Sequence, residues 1–218
     1  MSHDDFAFEP VRGLPAPLPR GESLLWQGSP HWWRLAVDAY HLRKVAAYFL
    51  ALFLWRFGVQ AAGGSGIAAS LEAGVPMIVL GTIASLILGT LASFSARSAV
   101  FSITTARIVM RHGIAVPTTM NVPFELLQGA ALKRRGDSGG DLAMRLRDDQ
   151  RIGYLISWPY VRPGRLAHPE PCFRALADAG RAAKILADAM IAHSGPATVR
   201  RESPPAPVAP AHEEAITA

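Results

Sequence analysis

One cysteine, Cys172, stands in the whole chain. A lone thiol closes no internal disulfide and builds no thiolate metal cluster. The seven histidines, at positions 3, 31, 41, 112, 168, 193 and 212, include no pair three or four apart. No helix face therefore offers the paired imidazoles of a helical metal site. None lies within residues 45–96, so the apolar segments described next bring no imidazole to a metal-centred pigment. No metal and no cofactor are expected. The opening MSHDDFAFEPVRGLPAPLPRG is acidic and then proline-rich; it has no apolar core, and no signal peptide is expected.

Charge is missing locally. VPMIVLGTIASLILGTLASFSA (75–96) contains no Asp, Glu, Lys or Arg. At about 1.5 Å per residue, 22 helical residues cover a hydrocarbon core of roughly 30 Å. VAAYFLALFLWRFGVQAA (45–62) is interrupted only by Arg56. The pair reads as a transmembrane hairpin, joined by a flexible GGSGIAASLEAG (63–74). A buried soluble hairpin, or a re-entrant first segment, are the alternatives. The connector has no Lys or Arg, whereas Arg34, Arg43 and Lys44 precede the hairpin and Arg97, Arg107 and Arg111 follow it. The positive-inside rule puts both termini in the cytoplasm.

Five segments result. Residues 1–20 form an extended arm, since Pro10, Pro15, Pro17 and Pro19 oppose helix. Residues 21–44 hold a short strand, ESLLWQG, and an interfacial amphipathic helix in which Trp32, Trp33 and Tyr40 accompany Arg34, His41, Arg43 and Lys44. Residues 45–96 are the hairpin. Residues 97–193 form a cytoplasmic domain, and 194–218 a disordered tail by composition. After residue 98 the apolar period changes to two. AVFSITT, RIVMRHG, TTMNVPF, LLQGAAL, LAMRL and RIGYLIS read as strands. An amphipathic helix over 172–193 closes the domain, with Phe173, Leu176, Ala179, Ala183, Leu186 and Met190 on one face.

KRRGDSGGDLAMRL spells Gly-Asp-Ser-Gly-Gly, the setting of a trypsin-like nucleophile at Ser138. Such a site needs a histidine base and an orienting carboxylate. The nearest upstream histidine is His112, and between it and the motif there is no aspartate. Too little chain remains for two barrels. The stretch reads as a hairpin turn, for which Gly, Asp and Ser are suited. No catalytic residue is assigned.

Two sets of residues suit binding. A cation within an apolar span is costly and marks a functional site by default. Arg56, with Gln60 one turn on, bonds a partner helix or snorkels to the surface. Gly81, Ser85, Gly89 and Ser93 recur every four residues, a small-residue stripe that admits another backbone; the first span, a foreign helix or a second copy could fill it. The second set, Arg107 and Arg111 with a basic loop of Lys133, Arg134 and Arg135, suits anionic lipid or a client surface, or is a solvated basic face. The net charge of +5 also fits nucleic acid, but no recognition-helix, RNP or zinc-finger pattern is present and no nucleic acid is expected.

LPRGESLLWQGSPHWW, the hairpin, and FSITTARIVMRHGIAVPTTMNVPFELLQGAAL together resemble bacterial membrane-linked PH-like domains. Within that group, residues 9–193 look like the PuhB family of photosynthetic complex assembly proteins of purple bacteria. The most specific segments are Trp-Pro-Tyr-x-Arg-Pro (158–163) and Arg-Leu-x-x-Pro-Glu-Pro (165–171). The resemblance implies an α+β membrane protein, with a two-helix transmembrane hairpin plus a PH-like small β-barrel or sandwich closed by a C-terminal helix. It implies a multi-pass protein of the bacterial inner (intracytoplasmic) membrane, linked to the reaction-centre H subunit. The implied function is non-enzymatic assembly of the reaction centre and core light-harvesting complex. The partners are their subunits, anionic membrane lipid and a second copy in a homodimer. The alternative is a general membrane-anchored PH-like lipid-binding or scaffolding module; a membrane enzyme is the remaining reading.

Overall fold

The fold is seen in a computed structural model, which describes residues 12–135, 139–150 and 152–194. The start of the proline-rich arm, Gly136, Asp137 and Ser138, where a hairpin turn is expected, and the tail from residue 195 lie outside the described residues. β1 (Leu24–Gly28) leads through Pro30 into α1 (Trp32–Asp38). His41, in the left-handed region at φ 56 and ψ 33, turns the chain into α2 (Leu42–Ala62). α3 (Gly66–Ser98) returns alongside it as one helix of 33 residues. Both are long and apolar enough to cross a membrane. The connector is shorter than expected: Gly66 is already helical. Gly74 explains the close return, because a Cβ there would lie 2.5 Å from the Phe53 ring.

One residue after α3 the chain becomes strand. β2 (Val100–Thr104), β3 (Arg107–His112) and β4 (Thr118–Pro123) join β1 in an antiparallel sheet ordered β1-β2-β3-β4. A 3-10 turn, Phe124–Leu126, passes the chain to a second sheet of β5 (Leu127–Arg135), β6 (Gly139–Leu146) and β7 (Cys172–Leu176), in that order. Phe101, Ile103, Ile108 and Met110 from the first sheet meet Leu142, Met144, Phe173 and Leu176 from the second. The Phe101 and Phe173 rings stack at 4.6 Å. α5 (Ala179–Ser194) closes the core with Ala182, Leu186 and Ala189. The domain is a two-sheet sandwich; among the described residues β4 and β5 do not pair, and no closed barrel forms.

Two expectations are corrected. RIGYLIS is not a strand: residues Tyr154–Ser157 form a short helix, α4. β5 and β7 occupy the two edges of β6, which leaves no place there for another strand. The closing helix begins at Ala179, and Cys172–Leu176 is β7. That strand is buried along its whole length, Arg174 included, so it shows none of the apolar–polar alternation of a half-buried strand.

α1 keeps Trp32 and Trp33 exposed, but it also enters the core. Leu35 and Ala36 are fully buried. α1 packs along the end of α3, where Ala92, Ser95 and Ala96 are buried too. The Tyr40 and Ser95 hydroxyls lie 2.6 Å apart, and the Tyr160 hydroxyl donates to the Ser95 carbonyl at 2.7 Å. The last turns of α3 thus belong to the sandwich as much as to the hairpin.

Candidate functional site

The hairpin register decides which part of the small-residue stripe is open. A Cβ on Gly81 would lie 2.7 Å from the Cβ of Phe49, so α2 already covers that position. Nothing lies within 4 Å of a Cβ on Gly89. Ser85, Gly89 and Ser93 line a groove of about 410 Å³ with Trp32, Trp33 and Arg97. The Ser93 hydroxyl donates to the Gly89 carbonyl at 2.9 Å, which keeps its polar hydrogen inside the helix. Gly81 therefore serves the hairpin, and the three positions below it face an unfilled groove.

Arg56 and Gln60 sit elsewhere. Arg56 Nε points at the Ala73 carbonyl from 3.5 Å, and Gln60 Nε2 donates to Ser65 Oγ at 3.1 Å in the connecting turn. From Ala73 to Ser85 the helical rise is about 18 Å, so the structure does not bring this pair to the groove. The contact of Arg56 is at the long limit of a hydrogen bond, and the residue is exposed.

The five cations are likewise divided. β2 leaves the end of α3, so Val100 and its cross-strand partner Arg111 lie at the α3 end of the sheet. Thr104 and Arg107 lie at the other end, about 13 Å away by strand rise. There Arg107 forks onto Glu22, with Nε to Oε1 at 2.8 Å and Nη2 to Oε2 at 2.7 Å. Burial raises the pKa of Glu22, but hydrogen bonding with Arg107 and Thr104 and the charge of Arg107 together hold it below its ordinary value. Lys133, Arg134 and Arg135 are not a loop but the end of β5. Arg135 bridges Asp38 at 2.9 Å and Asp141 at 3.1 Å, fastening β5 and β6 to α1. Lys133 and Arg134 are exposed.

Sequence reasoning missed a hollow of about 400 Å³ on the outer face of the second sheet. Ala131, Ala143 and Cys172 line it with Lys133 and Arg162. Arg162 is held by Glu170 at 2.8 Å. The small residues at facing register positions, Ala143 opposite Ala131 and Cys172, were the available signal. Burial pushes the Cys172 thiol well above its ordinary value, which makes it unreactive. His112 is buried beside Tyr160, with ring centroids 5.4 Å apart. Burial lowers its pKa and leaves Nε2 without a hydrogen-bond partner. Among the described residues no group of three or more His, Cys, Asp or Glu could hold a metal. What the arrangement offers is surface: a groove beside the hairpin and a cationic strand end.

The family profile described as Bacterial PH domain matches residues 44–190. A protein of Rhodobacter capsulatus, named "Uncharacterized 23.7 kDa protein in puhA 5'region", is 36% identical over 190 residues, covering 87% of this chain and 89% of that one. No solved structure matches the chain.

Proposed function

The chain belongs to the bacterial PH domain family, and from that footing we propose a non-catalytic assembly factor for the photosynthetic reaction centre and its core light-harvesting complex, one that binds client subunits at the membrane. Domains of this family are non-catalytic, and the chain is read as a binding module in keeping with them. The relative whose name places it in the puhA 5' region supports the photosynthetic setting, together with the resemblance of residues 9–193 to the PuhB family. The hairpin lies in the bacterial inner (intracytoplasmic) membrane with both termini in the cytoplasm.

The observation that carries the binding role is the open groove at Gly89. A client transmembrane helix lies against Ser85, Gly89 and Ser93, where backbones can approach; a second copy of the chain would use the same face. The exposed Arg56 offers its remaining N–H groups to the client within the bilayer. Lys133, Arg134 and Arg111 meet anionic lipid or a cytoplasmic client surface. Arg107 and Arg135 keep the domain in shape for that contact.

Deleting the gene and recording near-infrared absorption of membranes tests the role. Reduced reaction-centre and core-antenna bands are expected, with restoration by the wild-type chain and only partial restoration by Gly89→Leu. Unchanged bands would rule out the assembly role and leave a general membrane-anchored scaffold.

A further inference from the structure

Residues 152–161, IGYLISWPYV, contain no charged side chain, yet the fold leaves the middle of this stretch uncovered. Leu155 is 86% exposed, Ile156 69% and Trp158 42%, while Ser157 and Tyr160 in the same turn are buried. The apolar residues therefore project from α4, and the small polar one anchors it. A contiguous apolar tip of this kind is unfavourable in water and marks an interaction surface.

Its position selects the partner. The Trp158 ring packs edge-on against Tyr40 at 5.0 Å. One guanidinium then fixes the tip: Arg174 donates from Nη1 to the Pro159 carbonyl and from Nη2 to the Asp38 carbonyl, each at 3.1 Å. Tyr40 and Asp38 form the elbow that leads into α2 at Leu42. Arg43 and Lys44, exposed at the start of α2, suit the headgroup layer. The tip is thus clamped at the level where α2 enters the bilayer.

We propose that α4 and Trp158 are a third membrane contact, in which Leu155 and Ile156 dip into the interfacial layer of the cytoplasmic leaflet and Trp158 lies at headgroup depth. The site rests on the reading of α2 and α3 as membrane spans, and not on any photosynthetic client. Its occupant is phospholipid, because the tip continues the surface at which the hairpin already meets lipid. The amphipathic Trp158 ring suits that boundary.

The test uses the full chain reconstituted in phosphatidylcholine–phosphatidylglycerol vesicles, with an environment-sensitive fluorophore on one introduced thiol; the buried Cys172 leaves labelling to that thiol. Leu155→Cys carries the test. Trp55→Cys, in α2, reports the span. Ile191→Cys is equally apolar and 69% exposed, but lies in the last turns of α5, where His193 packs on Phe124 and shares a hollow with Pro19 and Thr105 at the far end of the sandwich. The label at 155 is expected to be quenched by brominated lipid and to show several-fold less quenching by aqueous iodide than the label at 191. Adding Ile156→Glu should reverse both results without unfolding the domain, since that side chain is exposed. Iodide quenching at 155 equal to that at 191 overturns the proposal. So does protection from iodide without quenching by brominated lipid, which would assign the tip to a second copy of the chain. If the label at 55 also escapes brominated lipid, the span reading falls as well, so the two failures are distinguishable.

Discussion

Arg107 and Glu22 are 85 residues apart in the chain and form a two-bond fork that ties the approach to β1 to the turn between β2 and β3. Charge-assisted bonds of this kind contribute about 1–3 kcal/mol. Arg107→Ala should lower stability by about that amount in thermal unfolding, while leaving binding to anionic vesicles unchanged. The pH dependence has a definite sign. Because the carboxyl of Glu22 is held below its ordinary value of 4.5, its contribution is complete above that value and disappears as pH falls through the lower folded value. The stability gap between wild type and Glu22→Gln should therefore close on acidification below about pH 4.5; a gap constant down to about pH 2 would show that the fork contributes nothing. None of these pairings was legible in the sequence. Arg135 looks like one of three adjacent cations, and only the fold brings Asp38, 97 residues away, to its guanidinium.

At the scale of elements, the two glycines of the α3 stripe separate packing from recognition. Gly81→Leu drives a side chain into Phe49, and overpacking of this kind costs about 1–3 kcal/mol. It should weaken the hairpin, read as a lower unfolding temperature in detergent. Gly89→Leu meets open space and should leave that temperature unchanged; an equal drop for both variants would show that the groove is packed against the chain itself. The two long helices were legible because a charge-free run of membrane length fits little besides an apolar helix. The strands β2 to β6 were legible from their apolar period of two. β7 was not, because Phe173 and Leu176 stand three apart and fit a helix face as well as a doubly covered strand. α4 was misread because Ile152, Tyr154 and Ile156 alternate as a half-buried strand would, although no sheet edge beside β6 was vacant to receive them.

For the whole molecule, the proposed membrane reading puts the sandwich and both chain ends on one side of the bilayer, because cations flank the hairpin on both sides. Reporter fusions at the N- and C-termini should both register the cytoplasm, and opposite compartments would overturn this arrangement. The two long apolar helices and most of the sandwich's strands could be read from the apolar pattern of the sequence. The separation of the candidate cations to opposite ends of a sheet could not, because it depends on β2 starting directly from α3.

That direct start also determines how the molecule transmits force. α3 is about 50 Å long by helical rise, and its final turns are buried in the sandwich through Ala92 and Ala96. With a single residue, Ala99, between helix and strand, there is no slack for the head to swivel. Any lean of the hairpin is carried into the sheets as the same lean. On the proposed reading the protein is a gauge of fixed height and angle, and a client subunit would have to present its matching surface at that one elevation.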